Sequence, residues 1–155
     1  MFAIFKKKQK ICAPISGKLI ALSDVHDPVF SSEMMGKGWA ILPDCNQVVS
    51  PINGTVVMIA DSKHAIGLKT KDGAEILIHI GLDTVNLGGK YFEVDVKAGD
   101  TVKIGDKLIR ADFQKIISKG FDTTTMILLT NSVIPYRYSE KIGRNIDYGE
   151  DLLDY

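Results

Sequence analysis

Histidine is scarce in this chain, and the spacing of two of its three histidines is the strongest chemical signal in the sequence. His64 and His79 lie on either side of Asp72-Gly73, each within or beside an apolar run typical of a β-strand. Asp-Gly favours a two-residue type I′ turn, which would place Ile66 opposite His79. In that register both imidazoles lie on one face as diagonal neighbours, with Cα atoms about 7–8 Å apart.

Two neighbouring imidazoles permit three kinds of site. They can supply two ligands to a zinc ion, which needs further ligands, for example from a partner that shares the metal with His64 and His79. They can act as a nucleophile and a residue that steadies or deprotonates it. Alternatively, one of them is a core histidine bonded to a backbone carbonyl. A register slip of one residue would move the two rings to opposite faces.

Polar groups close in sequence extend this candidate site. Ser62 precedes His64 by two residues, and we expect its hydroxyl to bond an imidazole or a phosphoryl oxygen. Asp83 follows His79 by four residues and either supports an imidazole or caps a turn. His79-Ile-Gly-Leu-Asp83 also has the His-x-x-x-Asp spacing of one class of zinc hydrolase, but the chain has no His-x-His pair, which that class requires.

Apolar side chains are expected around the histidine pair. The predicted register places Ile66, Leu68 and Leu77 on the face of His79, and the opposite face carries a stripe that we expect to form core. An exposed apolar patch around a polar centre is typical of a docking surface. The core stripe is Ile76, Ile78 and Ile80, and the predicted partner contacts are Ile66, Leu77, Ile78 and Trp39.

The elements that must position these residues read as short strands. Ile- and Val-rich segments are broken by Gly, Asp, Asn and Pro at intervals typical of an all-β sandwich or barrel. Residues 13–22 and 50–59 form an internal repeat that shares Pro, Ile and Gly before an apolar run, which indicates an antiparallel fold with internal duplication. The best helical candidate is Phe113–Lys119, and residues 96–108 predict two turns that flank a short strand.

Composition limits the class of protein. The 155 residues are 45% hydrophobic, which suits one domain with a sizeable core, and 19 basic residues balance 19 acidic ones. The neutral balance argues against general nucleic-acid binding, and no apolar stretch is long enough to span a bilayer. Cys12 and Cys45 have no metal-like spacing and are expected to be free thiols of a cytoplasmic protein.

Five segments of the chain resemble the glucose-type IIA component of the bacterial phosphoenolpyruvate-dependent sugar phosphotransferase system. The resemblance covers about Ile11 to Asn131, and the segment around His79 is its most specific part. The segments are Ala13-Pro-Ile-Ser-Gly, residues 27–43, Ser50-Pro-Ile-Asn-Gly-Thr, His64-Ala-Ile-Gly-Leu, and Glu75-Ile-Leu-Ile-His79-Ile-Gly-Leu-Asp-Thr-Val.

The resemblance implies a phosphocarrier with an antiparallel β-sandwich fold. By the family's pattern His79 is phosphorylated on Nε2, His64 stabilises the phosphoryl group, and Ser62 stands where Thr is commoner. The implied donor is the histidine-containing phosphocarrier protein HPr, and the implied acceptor is a cysteine of the IIB domain of a membrane sugar permease. No cofactor is expected. A regulatory protein without catalysis, or a zinc hydrolase of related fold, are the alternatives.

The chain also departs from the family's pattern. Lys37 stands between two glycines where an acidic residue is common, so no acidic partner contact is carried over to it. His26 has no counterpart with a function, and we expect it to be a surface residue. We expect residues 1–10 to form a flexible tail, 11–132 the IIA domain of a free-standing protein, and 133–155 an unassigned extension.

Overall fold

The computed structural model describes residues 9–155 and consists almost entirely of short antiparallel strands. The expected N-terminal tail falls mostly on residues 1–8, outside the described part, and the first strand already begins at Lys10. The strands are β1 Lys10–Cys12, β2 Gly17–Ala21, β3 Lys37–Pro43, β4 Gln47–Val49, β5 Gly54–Ile59, β6 Ala65–Lys69, β7 Glu75–Ile80, β8 Phe92–Val94, β9 Thr101–Val102, β10 Lys107–Ala111, β11 Thr125–Leu129, β12 Asn145–Ile146 and β13 Asp151–Asp154.

Helices are few and short. They are α1 Pro28–Ser31 and α2 Phe113–Ser118, together with 3-10 turns at Leu22–Asp24 and Thr84–Leu87. The helix expected at Phe113–Lys119 is therefore confirmed, and β9 is the short strand expected between two turns. No helix within residues 9–155 is long and apolar enough to cross a membrane.

Three antiparallel sheets build the domain, which confirms the predicted all-β class. The largest has the order β12-β2-β3-β11-β7-β6-β5-β9, a second has the order β4-β10-β8, and β1 pairs with β13. The internal repeat supplies β2 and β5, which form the equivalent hairpins β2-β3 and β5-β6. These hairpins flank the central strands β11 and β7, so the duplication places one hairpin on each side of the strand that carries His79.

Both repeats begin their strand on glycine for the same reason. A Cβ atom at Gly17 would collide with the carbonyl oxygen of Leu42, and a Cβ atom at Gly54 would collide with that of Lys69. In each case the backbone of a neighbouring strand approaches too closely for any side chain. Glycine, which has no Cβ atom, permits this close approach. The shared glycine of the repeat therefore marks a shared backbone contact.

The main core lies on the inner face of the large sheet. One row of paired residues across it consists of Ile66, Ile78, Ile127 and Trp39, all of them completely buried. Ile76 and Ile80 belong to the same core cluster, so the expected isoleucine stripe of β7 is confirmed. Burial of aliphatic and aromatic side chains is the main source of stability in a fold of this size.

The C-terminal segment, unassigned from the sequence, packs into the same core. Residues 133–155 provide β12, which pairs with β2, and β13, which pairs with β1. The ring of Tyr136 lies 5.3 Å from that of Trp39, measured between centroids. A boundary at residue 132 therefore does not separate a second unit; the core residues of the segment are Ile134, Ile146, Leu152 and Leu153.

Candidate functional site

The hairpin that carries His79 turns differently from the prediction. Thr70, not Lys71, faces Ala74, because the Gly73 N–H donates to the Thr70 carbonyl and the Thr70 N–H donates to the Ala74 carbonyl. The loop thus has three residues, and only its last, Gly73, has a positive φ. A type I′ turn needs positive φ at both central residues, so the Asp-Gly pair here forms a type I turn followed by a left-handed glycine.

This longer loop shifts the register by one residue, and the predicted pairing of Ile66 with His79 is wrong. Ala65 lies opposite His79 and Ile66 lies opposite Ile78. Regular alternation would then direct His64 to the face opposite His79. The two imidazoles nevertheless meet, because β6 begins only at Ala65 and His64 belongs to the preceding loop, where Lys63 has a φ of 61°.

The two imidazole rings form a close pair at the centre of the outer face. Their centroids lie 4.9 Å apart and their planes are inclined at 81°, an edge-to-face arrangement. His79 is partly exposed at the end of β7, and His64 is 8% exposed. The predicted juxtaposition of His64 and His79 is therefore present, although it arises from a loop rather than from a diagonal pair of strand residues.

A backbone carbonyl fixes the protonation pattern of His79. Its Nδ1 lies 2.9 Å from the carbonyl oxygen of Gly81. A carbonyl oxygen only accepts hydrogen bonds, so Nδ1 must carry the proton in the neutral ring. The lone pair of the neutral imidazole is consequently on Nε2, which is the nitrogen that can act as a nucleophile.

Both imidazoles are held in the neutral form at physiological pH. Burial, and to a lesser degree the neighbouring His64, lower the pKa of His79 to about 4. Burial also lowers the pKa of His64. Desolvation disfavours a charged imidazole, and two rings this close disfavour double protonation. A neutral ring with a free nitrogen is the reactive form of histidine.

His64 is held less firmly than His79. Its Nδ1 is buried and makes no hydrogen bond to any residue that the structure describes. The Ser62 backbone, in the same loop, opposes the lowering of the His64 pKa as a hydrogen-bond partner of the imidazole.

Two site residues were missed at the level of sequence. Phe30 packs its ring against His79 with centroids 4.8 Å apart, and the Asp27 carboxylate opposes the lowering of the His79 pKa. Asp27 caps α1 by accepting a hydrogen bond from the Val29 N–H, with Pro28 at the first helical position. Asp-Pro is a helix-start signal, so the helix was readable, but its position over β7 was not.

Ser62 and Asp83, the two polar residues expected to extend the site, differ in burial. Ser62 is partly buried in the loop that carries His64, and it is the Ser62 backbone that acts as a hydrogen-bond partner of the His64 ring. Asp83 is exposed, has a φ of 59° and does not cap the following 3-10 turn with its side chain. Its carboxylate raises the pKa of His79 slightly, in opposition to burial.

Three of the four predicted partner contacts are interior residues. Trp39, Ile66 and Ile78 are completely buried in the main core, so the expectation that they contact a partner is wrong for this fold. For Ile66 the cause is the register shift, which places it opposite Ile78 on the core face. Ile78 belongs to the core stripe already expected for β7, and Trp39 lies on the same inner face opposite Ile127. Leu77 remains partly exposed on the outer face, where it packs against the small cluster that contains Phe30.

A complete metal site is not present among residues 9–155, because no group of three or more His, Cys, Asp or Glu is arranged to hold an ion. His64 and His79 together offer two imidazole ligands, fewer than a structural or catalytic zinc takes from a protein. Cys12 and Cys45 are free thiols.

Comparison with known proteins places the chain among proteins of similar sequence and fold. Residues 9–134 match the family described as phosphoenolpyruvate-dependent sugar phosphotransferase system, EIIA 1. The chain is 49% identical over 126 residues to the glucose-specific EIIA component of Staphylococcus epidermidis, a match that covers 81% of this chain and 76% of the relative. The β-glucoside-specific EIIBCA component of Bacillus subtilis is 49% identical over 125 residues, which are 81% of this chain and 20% of that protein.

A solved structure extends the similarity to the whole fold. The glucose permease IIA structure from Mycoplasma capricolum superposes with a TM-score of 0.89 at 37% sequence identity, over 99% of each chain. That coverage includes the C-terminal strands, which lie beyond the residues matched by the family.

Proposed function

Because the chain belongs to the EIIA 1 family of the phosphoenolpyruvate-dependent sugar phosphotransferase system, it is a phosphocarrier of sugar transport, and we propose that His79 carries the phosphoryl group. The observation that supports this assignment is the hydrogen bond from His79 Nδ1 to the Gly81 carbonyl. It leaves the lone pair on Nε2 in a ring that stays neutral at physiological pH. No other described histidine has its tautomer fixed in this way.

The transfer step follows from that tautomer. The Nε2 lone pair of His79 attacks the phosphorus of an incoming phosphohistidine, the donor's N–P bond breaks, and its electron pair returns to the donor nitrogen. The Gly81 carbonyl accepts a stronger hydrogen bond as the His79 ring gains positive character. Transfer between two nitrogens demands mainly positioning and charge stabilisation from the protein.

The residues beside His79 then stabilise the transferred group. His64 donates an imidazole N–H to a phosphoryl oxygen, a role supported by its ring centroid lying 4.9 Å from that of His79. Ser62, in the same loop, provides a hydroxyl for His64 or for the phosphoryl group. The exposed Asp83 carboxylate supports the charged form of the His79 ring.

The partners follow from the direction of transfer. We propose HPr, the histidine-containing phosphocarrier protein, as the donor, and a cysteine of a IIB domain as the acceptor. The similarity to the EIIBCA component, whose name places B, C and A parts in one chain, supports a IIB partner. A carrier that exchanges phosphate between these two proteins works in the cytoplasm, and we propose that location.

Docking of these partners is assigned to apolar residues around the pair. Val29, next to Phe30, is 42% exposed, and Val85, next to Thr84, is 51% exposed. Met58 is 42% exposed and pairs with Gly67, which in turn pairs with Leu77 on the outer face. Val29, Met58, Leu77 and Val85 replace the buried residues predicted from the sequence, and we call them the apolar rim.

Charge placed in the apolar rim weakens docking without removing the chemistry. We expect Met58→Glu and Val29→Glu each to raise KM for the phosphorylated donor about tenfold, as loss of a central interface residue does. The phosphate bound per protein at completion stays unchanged, because His79 is intact. Val133→Glu is the control, since Val133 is 44% exposed beyond the far end of β11. An equal rise in KM in the control would remove the docking assignment.

Acid destabilises the fold through His79. Unfolded His79 takes up a proton near pH 6.5, whereas folded His79 does so only near pH 4. Between these values the unfolded state binds more protons, so the free energy of unfolding falls as pH falls, by up to about 3 kcal/mol from this residue. Urea unfolding at pH 7.0, 5.5 and 4.5 measures how the free energy of unfolding depends on pH. His79→Gln should lose this part of the pH dependence, and an identical slope in both proteins would contradict the assigned pKa.

The direct test of the function is phosphorylation by the general components of the system. Incubation with phosphoenolpyruvate, the first enzyme and HPr is expected to yield one acid-labile, alkali-stable phosphate per chain. Failure to incorporate phosphate, with the partners shown to be active on another carrier, would overturn the proposal.

A further inference from the structure

The Gly81 carbonyl that orients His79 belongs to a turn in which two successive peptide groups are held at both ends. The Ile80–Gly81 peptide accepts a hydrogen bond from the Thr84 hydroxyl at its oxygen and donates its N–H to the Thr124 carbonyl, 2.9 Å away. The Gly81–Leu82 peptide donates its N–H to the Asp122 carbonyl, 2.9 Å away, and its oxygen accepts from His79 Nδ1.

These hydrogen bonds matter because the backbone dihedral angles of Gly81 set the relative orientation of the two peptides. Its φ is 78°, a region that side-chain-bearing residues seldom occupy, and a glycine there has more backbone freedom than any other residue. Rotation about its backbone bonds would move the carbonyl oxygen away from His79 Nδ1. The direction of that carbonyl is therefore set by the four groups that hold the two peptides.

Two of these four groups belong to side chains, and they are His79 itself and Thr84. Thr84 is completely buried, its hydroxyl donates to the Ile80 carbonyl, and its methyl group packs where a Cβ atom of Gly81 would lie. The other two restraints are backbone carbonyls of the segment before β11. Thr84 does not touch the reacting nitrogen, so any effect on transfer must pass through the turn.

We propose that Thr84 is a positioning residue, which fixes the Ile80–Gly81 peptide so that the Gly81 carbonyl holds His79 in the Nδ1–H tautomer. The inference rests on the proposed role of His79 and adds the group that maintains its tautomer. Without the hydroxyl, the Ile80 carbonyl loses its partner, the turn gains freedom at Gly81, and the ring populates the tautomer that carries its proton on Nε2. That tautomer has no lone pair on the attacking nitrogen.

The test compares Thr84→Val, which keeps the branched shape, with Thr84→Ser, which keeps the hydroxyl. Nitrogen-15 spectra of the imidazoles at pH 7 report the tautomer of His79, and phosphorylation from phospho-HPr reports the rate. We expect Thr84→Val to lower the Nδ1–H fraction and to slow phosphorylation about tenfold, the usual order for a lost orienting partner. Thr84→Ser is expected to keep the wild-type tautomer and a rate within about twofold of wild type.

Thr70→Val is the matched control. Thr70 is also a buried threonine with hydrogen bonds, but it lies at the turn end of the β6-β7 hairpin, away from His79. It should lose stability without a change of tautomer. If Thr84→Val does not fold, Thr84→Ala against Thr84→Ser carries the same comparison.

The outcomes separate this inference from the function itself. A Thr84→Val protein with the wild-type tautomer and rate overturns the positioning role, even while wild-type His79 accepts phosphate. A tautomer shift in Thr84→Val that Thr70→Val does not share supports the role, since the spectra need no partner protein. Absence of phosphate in wild-type protein, with the tautomer as assigned, overturns the proposed function alone.

Discussion

His79→Gln is expected to accept no phosphoryl group, with an incorporation rate below about one-thousandth of wild type. The substitution removes the Nε2 lone pair, and an amide nitrogen is not a nucleophile at neutral pH. Glutamine is neutral and fills much of the volume of the ring, so the fold at pH 7 should be retained. Transfer of radiolabelled phosphate from phosphoenolpyruvate through HPr measures the rate.

The matched control for this loss is His26→Gln. His26 is an exposed histidine outside the pair, so its replacement should leave incorporation at the wild-type rate. Incorporation that persists in His79→Gln and disappears in His26→Gln would show that the carrier had been assigned to the wrong residue.

His64→Ala is expected to carry phosphate at His79 but to exchange it about a hundredfold more slowly than wild type. Removal of a single preorganised donor to a developing negative charge typically costs a factor of this size. The attacking nitrogen of His79 and its bond to Gly81 remain, so the final stoichiometry should still be one phosphate per chain. Quench-flow measurement of the transfer rate, together with the end point, separates the two effects.

The same variant changes the titration of His79. The neighbouring imidazole is one of the causes that lower the His79 pKa, so its removal should raise that pKa towards the ordinary histidine value.

Two results would refute the supporting role of His64 in transfer: a wild-type transfer rate in His64→Ala, or a complete absence of phosphate on a protein that is otherwise folded.

Much of the fold was accessible from local patterns in the sequence. The isoleucines of β7 alternate with less buried residues, and alternation with period two predicts one inward face whatever the partner strand is. The repeated Pro-Ile-x-Gly segments predicted two equivalent strands, which the structure places on either side of the central pair. These inferences succeeded because each depends on only a few consecutive residues.

The strand register could not be fixed in the same way. Asp72-Gly73 is compatible with a two-residue turn and with a three-residue loop, and the choice depends on whether Asp72 adopts a positive φ. In the structure, the Thr70 hydroxyl accepts from the Ala74 N–H and also bonds to Asp72, which stabilises the longer loop. One residue of difference was enough to turn Ile66 from the predicted surface into the core.

The remaining parts of the site depend on contacts between distant segments. Phe30 reaches His79 only because the chain after β2 folds across the outer face, and no local pattern encodes that crossing. The C-terminal strands likewise have too few apolar residues to be predicted from a local pattern. In the structure they pair with β1 and β2 at the other end of the chain. Long-range pairing of this kind is decided by the whole fold.

The central claim is that the phosphoryl group resides on Nε2 of His79. The most direct measurement is a nitrogen-15 and phosphorus-31 spectrum of the protein after phosphorylation by phosphoenolpyruvate, the first enzyme and HPr. We predict a single phosphohistidine, with the phosphorus coupled to Nε2 of His79 and with Nδ1 still protonated. Phosphate on His64 or His26, or on Nδ1 of His79, would contradict the account.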